Sequence, residues 1–204
     1  GVILASGWRG DGHFINPMCG SGTLAIEATF IALNRAPGLL RNNYGFRFIK
    51  EFPEEFWQEI RRKAKANARK ILPAKIIATD IDKTAVAAAR HNAQTAGVDH
   101  LIEFNICSFE NTFIPEHGGI IILNPPYGER LSEKSEVENL YRQMGAVFKN
   151  LDTWSFYVLT SHPGLERLLG RKADRRRKLY NGRIQCTYYQ FYGPKPQQLQ
   201  GPFA

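Results

Sequence analysis

Cysteine is scarce in this chain, and Cys19, Cys107 and Cys186 are odd in number and far apart, which excludes a disulfide framework and gives no zinc spacing. The five histidines show no metal-ligand spacing either, so no metal is expected. No apolar run approaches the roughly 20 residues that cross a bilayer, and no secretory signal is visible. The chain therefore reads as cytoplasmic, with no membrane partner. Its one glycine-rich loop lacks the Lys of a P-loop and the third glycine of a dinucleotide fingerprint, Ala25 standing there instead. Acidic residues are also in short supply, 19 against 27 Lys plus Arg, giving a net charge of +8. That balance favours an anionic partner.

What is present starts with Asn124-Pro125-Pro126-Tyr127. The run follows Ile120-Ile121-Ile122-Leu123, an apolar stretch without alternation that predicts a strand buried on both faces of a parallel sheet. The motif then lies at the carboxyl end of a central strand, the edge where open α/β sheets bind ligands. An exocyclic amino group is a poor nucleophile because its lone pair is delocalised into the ring. To methylate it, an enzyme holds both N–H bonds on acceptors and clamps the ring flat. The Asn124 amide oxygen and the Pro125 carbonyl are candidate acceptors, and Tyr127 a candidate stacking face. Two prolines stiffen the turn and remove competing donors. No cysteine adjoins this loop, which argues against methylation at a pyrimidine carbon, where a thiolate must attack.

Two further elements point to an adenosine-containing ligand. In Asn16-Pro17-Met18-Cys19-Gly20-Ser21-Gly22-Thr23, glycines allow a sharp turn from strand into the helix-prone stretch 24–33, with free N–H groups at its start. In Lys75-Ile76-Ile77-Ala78-Thr79-Asp80-Ile81-Asp82, an apolar strand ends in carboxylates. Asp80 is placed to accept both ribose hydroxyls, with Ile81 against the adenine face. Asp82 precedes Val86, Ala89, Ala93 and Ala96 at helical spacing, so it reads as the helix N-cap. The separation of Gly22 from Asp80 far exceeds the roughly 20 residues of a plain dinucleotide fold. An insertion explains it.

The coarse order is a strand near 13–15, a helix from Thr23, an insertion through Arg47 and a basic helix over about 53–70. Strand 75–79, helix 83–95, strands 101–105 and 119–123, a helix over about 136–150 and strand 154–159 follow. A short helix near Leu165 and a hairpin about Asn181-Gly182 close the chain. Alternating strands and helices predict an α/β fold with a mostly parallel sheet, helices on both faces and one antiparallel strand from the hairpin. Gly1 to Trp8 reads as the end of an apolar helix in a truncated domain, 1–204 as a single domain, and about 194–204 as a flexible tail. Two basic clusters stand out, Arg61 to Lys70 and Arg171 to Lys178. The first reads as a solvated helix face. The second leads into the hairpin, whose basic arm is expected beside the catalytic loop, where phosphates dock.

Cys-Gly-Ser-Gly-Thr in the first loop, Arg35-Ala36-Pro37-Gly38, Thr79-Asp80-Ile81-Asp82 and Asn124-Pro125-Pro126-Tyr127-Gly128-Glu129-Arg130 together resemble the class I S-adenosylmethionine-dependent methyltransferases. Within them, the chain is similar to the catalytic domain of the bacterial large-subunit ribosomal RNA guanine-N2-methyltransferases. The resemblance implies a Rossmann-like seven-stranded sheet and S-adenosylmethionine as cofactor. It places that cofactor on Asn16, Pro17, Cys19, Gly20, Ser21, Gly22, Thr23, Asp80, Ile81, Ser108 and Asn124, and catalysis on Asn124, Pro125 and Tyr127. It also implies an RNA partner, ribosomal or transfer RNA, and an upstream THUMP RNA-binding domain with no counterpart in this sequence. The family carries an acid where Asn16 and Ser108 stand; both residues keep hydrogen-bond acceptors but lose the charge, and charge-assisted bonds are about twice as strong. Adenine-N6 and glutamine-N5 methylation use the same Asn-Pro-Pro-Tyr logic. A non-catalytic RNA-binding module of the same fold is the third alternative, and the oligomeric state stays open.

Overall fold

Runs such as 120–123, apolar at every position, bury only where helices cover both faces of a sheet, and the molecule is built that way. The computed structural model describes residues 1–127 and 131–194; Gly128, Glu129 and Arg130, and the expected tail from 195 onward, lie outside the described residues. The elements are α1 (Val2–Ser6), β1 (His13–Pro17), α2 (Thr23–Ala32), α3 (Glu54–Ala66), β2 (Ile76–Asp80), α4 (Lys83–Ala96), β3 (Ile102–Ile106), β4 (Gly119–Leu123), α5 (Leu131–Phe148), β5 (Ser155–Thr160), α6 (Leu165–Leu169), β6 (Arg175–Asn181) and β7 (Ile184–Phe191). No helix among the described residues is long and apolar enough to cross a membrane.

The seven strands run in the order β3-β2-β1-β4-β5-β7-β6. Strands β1 to β5 are parallel, and β7 is antiparallel to both β5 and β6. The order reverses between β1 and β4, so the carboxyl ends of these two strands flank a crevice. One face of the sheet packs Phe14, Ile76, Ala78, Ile120 and Ile122 under α2 and α4; the other packs Ile15, Ile77, Ile121 and Leu123 under α5 and α6. In α4 the buried residues are Val86, Ala89, Ala93 and Ala96, the helical spacing seen in the sequence, and Asp82 caps it by accepting from the Thr84 N–H at 2.7 Å. Helix α1 rests on the sheet through three hydrogen bonds. Tyr157 Oη donates to the Ser6 carbonyl at 3.1 Å, Tyr188 Oη to Val2 at 3.2 Å and Gln190 Nε2 to Ala5 at 3.4 Å.

Three expectations move, the first being α5, which starts at Leu131 rather than near Glu136. The basic helix stops at Ala66 rather than near Lys70, because the Arg69 N–H leaves helical geometry to bond the Leu33 carbonyl at 2.7 Å, where α2 ends. The hairpin turn sits one residue later than the Asn-Gly pair suggests. Asn181 pairs with Ile184, leaving Gly182 and Arg183 as the loop. Gly182 has φ of 62°, at the position that a II′ turn reserves for glycine. Asn181 thereby becomes a strand residue at the carboxyl edge of the sheet, within reach of the Asn-Pro-Pro-Tyr loop.

Candidate active site

The crevice at the strand-order reversal opens into a cleft of about 460 Å³ lined by Met18, Asp80, Ile81, Cys107, Ser108, Phe109, Glu110, Asn124, Pro126, Leu140 and Gln143. Of the residues expected to hold a cofactor, it gathers Asp80, Ile81, Ser108 and Asn124. Cys19 to Thr23 belong to the loop and helix start that follow Met18, which lines it. Asn16 and Pro17 are buried within β1 and do not line the cleft. Asn16 is 1% exposed, and its Nδ2 donates across the strand reversal to the Ile122 carbonyl at 3.0 Å. Its Oδ1 is buried without a hydrogen-bond partner. Asn16 thus ties β1 to β4 at the point where they part.

The loop from Met18 to Gly22 depends on left-handed backbone, with φ of 54° at Met18 and 79° at Gly22. At Gly22 a side chain is excluded twice over, since a Cβ there would stand 2.8 Å from Ala89 Cβ and 3.2 Å from its Cα. That closeness lets α2 start against α4. Gly22 is the N-cap of α2 and no side chain caps that helix, leaving the first N–H groups of α2 for a ligand. Cys19 is buried, and burial pushes its thiol up to about 12, so it is a packed side chain and not a nucleophile. Ser21 and Thr23 are exposed at the loop surface, 3.3 Å apart through their hydroxyls.

Asp80 organises this half. One carboxylate oxygen accepts the Gly20 N–H at 2.9 Å and the other the Asp82 N–H at 3.0 Å, so the acid fixes the glycine loop to the tip of β2. Each oxygen retains acceptor capacity for a ribose hydroxyl. Ile81 follows, 73% exposed beside the cleft, an apolar surface suited to one face of an adenine. An adenosine-type ligand therefore fits the residues present: an exposed Ile, an acid at the strand tip and free helix N–H groups.

The other wall is made differently. Asn124 is exposed at the end of β4 and Pro125 is buried behind it. The Tyr127 hydroxyl donates to Asn124 Oδ1 at 2.7 Å and itself accepts from Asn181 Nδ2 at 3.1 Å. Asn124, Tyr127 and Asn181 at the hairpin tip are thus joined in one chain of hydrogen bonds. Beneath them, the buried Tyr141 hydroxyl bonds Thr160 Oγ1 at 2.7 Å and donates to the Pro126 carbonyl at 3.4 Å. Burial pushes the Tyr141 phenol up to about 12, keeping it neutral and able to donate. Tyr141, Gln143 and Asn181 escape a reading of the sequence because α5 and the hairpin reach the loop only through the fold; Met18 escapes it because a positive φ at a non-glycine leaves no composition signal. The basic stretch leading into β6 is partly occupied. Arg176 is paired with Glu166 and Arg171 stacks over Phe156 and Phe191.

Comparison with known proteins agrees with this geometry. A family model, UPF0020, RMKL-like methyltransferase domain, matches residues 1–190. YpsC of Bacillus subtilis, provisionally named an RNA methyltransferase, is 41% identical over 97% of this chain and 51% of its own length. The ribosomal RNA large subunit methyltransferase K/L of Shewanella oneidensis is 41% identical over 92% of this chain and 27% of its own. The chain thus spans about half or less of the length of these curated relatives. The crystal structure of SMU.472 in complex with SAH superposes with a TM-score of 0.89 at 37% identity, over 96% of this chain and 52% of that one. The fold is the Rossmann-like fold of these methyltransferases, and their cofactor is S-adenosylmethionine. This chain belongs to the RMKL-like methyltransferase domain family.

Proposed function

We propose that this chain methylates RNA at the exocyclic N2 amino group of a guanine, in large-subunit ribosomal RNA. The observation that carries the proposal is Asn124, which lines the same cleft as Asp80 and whose side-chain oxygen accepts the Tyr127 hydroxyl at 2.7 Å. The names of the K/L and YpsC relatives support RNA as the substrate class, and the +8 net charge suits a polyanion.

When bound, S-adenosylmethionine supplies a methyl carbon made electrophilic by its sulfonium. Asp80, Ile81 and the N–H groups at the start of α2 would hold it. Asn124 Oδ1 and the Pro125 carbonyl each accept one N–H of the guanine amino group, which directs the nitrogen lone pair into the cleft. Tyr127 supplies a stacking face to a base turned out of its strand. For this the Tyr127 hydroxyl gives up its bond to Asn124, and the incoming N–H replaces it. A nitrogen that had received the methyl group would be strongly acidic, and its proton would pass to water without a dedicated base. Positioning therefore provides most of the acceleration, and Tyr141 contributes by holding the Pro126 carbonyl in place.

The deciding experiment is nucleoside mass spectrometry of ribosomal RNA, transfer RNA and DNA from cells with and without the gene, with rescue by the full-length protein. Loss of N2-methylguanosine from ribosomal RNA alone is expected. Loss of N6-methyladenine, or no nucleoside change together with a lost glutamine methylation, would overturn the assignment.

A further inference from the structure

A second concave site lies away from the cleft, at the far end of α2. That helix leaves the glycine loop and runs 10 residues, about 15 Å at 1.5 Å per residue. Around its end is a depression of about 530 Å³ lined by Arg9, Arg35 and Arg69 with Asn34, Asn67 and Glu27. The arginines come from separate connections, after α1, after α2 and after α3, and only the fold brings them together. None has a carboxylate partner among the described residues. Each is instead oriented by a backbone carbonyl: Arg9 by Trp8 at 3.1 Å, Arg35 by Gly97 at 3.3 Å and Arg69 by Ala32 at 3.5 Å. Arg35 also lies over the Phe30 ring. A bond to a neutral carbonyl fixes a guanidinium without cancelling its charge, and leaves other N–H groups of the fork unspent. Neighbouring basic residues contrast with this. Arg61 is consumed by Arg41, Leu39 and Asn42, and Lys63 by Glu59.

We infer that this pocket takes a backbone phosphate of the RNA substrate, at a point remote from the methylated nucleotide. The inference rests on the RNA-methyltransferase reading. Three oriented, uncompensated guanidinium groups opposing one carboxylate suit a doubly coordinated phosphate oxygen pair. Asn34 and Asn67 add neutral donors. The separation from the cleft means that the pocket contributes to holding RNA and not to transfer.

The test is binding of large-subunit ribosomal RNA, transcribed in vitro, at several salt concentrations, alongside methylation of the same RNA. The combined variant Arg9→Gln, Arg35→Gln, Arg69→Gln should bind roughly tenfold more weakly, with a log–log salt slope shallower by about 0.7 to 0.9 for each phosphate that is no longer neutralised. Its kcat at saturating RNA should be unchanged. Glu27→Gln, which removes the carboxylate that lines the pocket, should tighten binding. Replacement of all three arginines by Lys should keep most of the salt slope, and Arg142→Gln, which removes an ion pair on α5, should change nothing. Equal affinity and equal slope in the Gln variant and the wild type would overturn the pocket while leaving the methyltransferase reading intact. Protection of the pocket by inorganic phosphate with no effect on RNA affinity would reassign it to a free anion. A wild type that neither binds nor methylates the RNA would overturn both the substrate and the pocket.

Discussion

The two walls of the cleft are built from different materials. On the cofactor side, β1, β2 and the start of α2 present mostly backbone: a loop in left-handed conformation, helix N–H groups, and an acid whose two oxygens are already engaged by N–H groups of the loop and strand tip. On the target side, β4, β5, α5 and the hairpin present side chains held by side chains, Asn181 to Tyr127 to Asn124 and Tyr141 to Thr160. Backbone geometry tolerates most substitutions except at the residues that make the turn possible. A chain of side-chain hydrogen bonds fails when one atom is removed. The first arrangement suits a ligand that never varies, and the second, on the reading proposed above, a base that enters and leaves.

The largest expected effect separates chemistry from binding. Asn124→Ala should lower kcat by about 10²- to 10³-fold, in the range seen when one preorganised hydrogen-bonding group is removed from a reacting centre, with S-adenosylmethionine affinity by calorimetry unchanged. Equal losses in both would erase the division between the two walls. Next is Gly22→Ala, the corresponding break on the cofactor side. Positive φ and a Cβ 2.8 Å from Ala89 combine backbone strain with overpacking, each worth about 1–3 kcal/mol. Denaturant unfolding should show that loss of stability together with weakened cofactor binding. A fully stable Gly22→Ala protein would show that α2 packs on α4 more loosely than so short a distance implies.

A smaller effect is expected at the foundation of the target wall. Tyr141→Phe removes a hydroxyl from a buried network, which costs about 1–3 kcal/mol when a partner is stranded. Its Thr160 partner keeps the His162 N–H at 3.0 Å, so the lower end applies to stability. The distinguishing readout is kcat, which should fall without a change in cofactor affinity as the Pro126 carbonyl loses its donor. Smallest is the acid response of His13. Its Nδ1 accepts the Lys75 N–H at 3.0 Å, and burial, the largest cause, lowers its pKa below the ordinary 6.5. A group with a depressed folded pKa that is neutral when deprotonated contributes stability above its unfolded pKa, lost as pH falls through the folded value. Unfolding midpoints should therefore drop below about pH 6.5, and His13→Gln should flatten that slope. An unchanged slope would place the acid sensitivity elsewhere.

The same contrast explains how much of the molecule is legible in its sequence. Strands β2 and β4 announce themselves as apolar runs, and α4 by alanines at helical spacing, because burial on both sides leaves little other composition. The residues after those strands, Asp80, Ile81, Asn124 and Tyr127, are legible for the same reason: the strand end locates them. Asn16 reads as a ligand residue, yet its amide is spent on the Ile122 carbonyl, since a polar group one position inside a buried strand must first satisfy itself. As residues of the site, Tyr141 and Asn181 carry no local signal. Both act from elements that meet the loop only when β5 and β7 are in place. The Arg61 to Lys70 cluster is a solvated or self-consumed face for most of its length, and only Arg69 turns inward to join Arg9 and Arg35.

The seat of α1 has a consequence for the order of events during synthesis. Val2 and Ala5 receive their hydrogen bonds from Tyr188 and Gln190, so the earliest of these helices to be synthesised waits for the latest of these strands. Strand β7 lies between β5 and β6, so the target wall also stays open until then. The parallel strands of the cofactor wall are complete far earlier. Assembly is expected to proceed from cofactor wall to target wall, with α1 docking last, its partners separated from it by nearly the whole fold. Long-range closures of this kind are slow relative to local helix formation, and the exposed edge of β5 is the surface most open to mispairing in the interval.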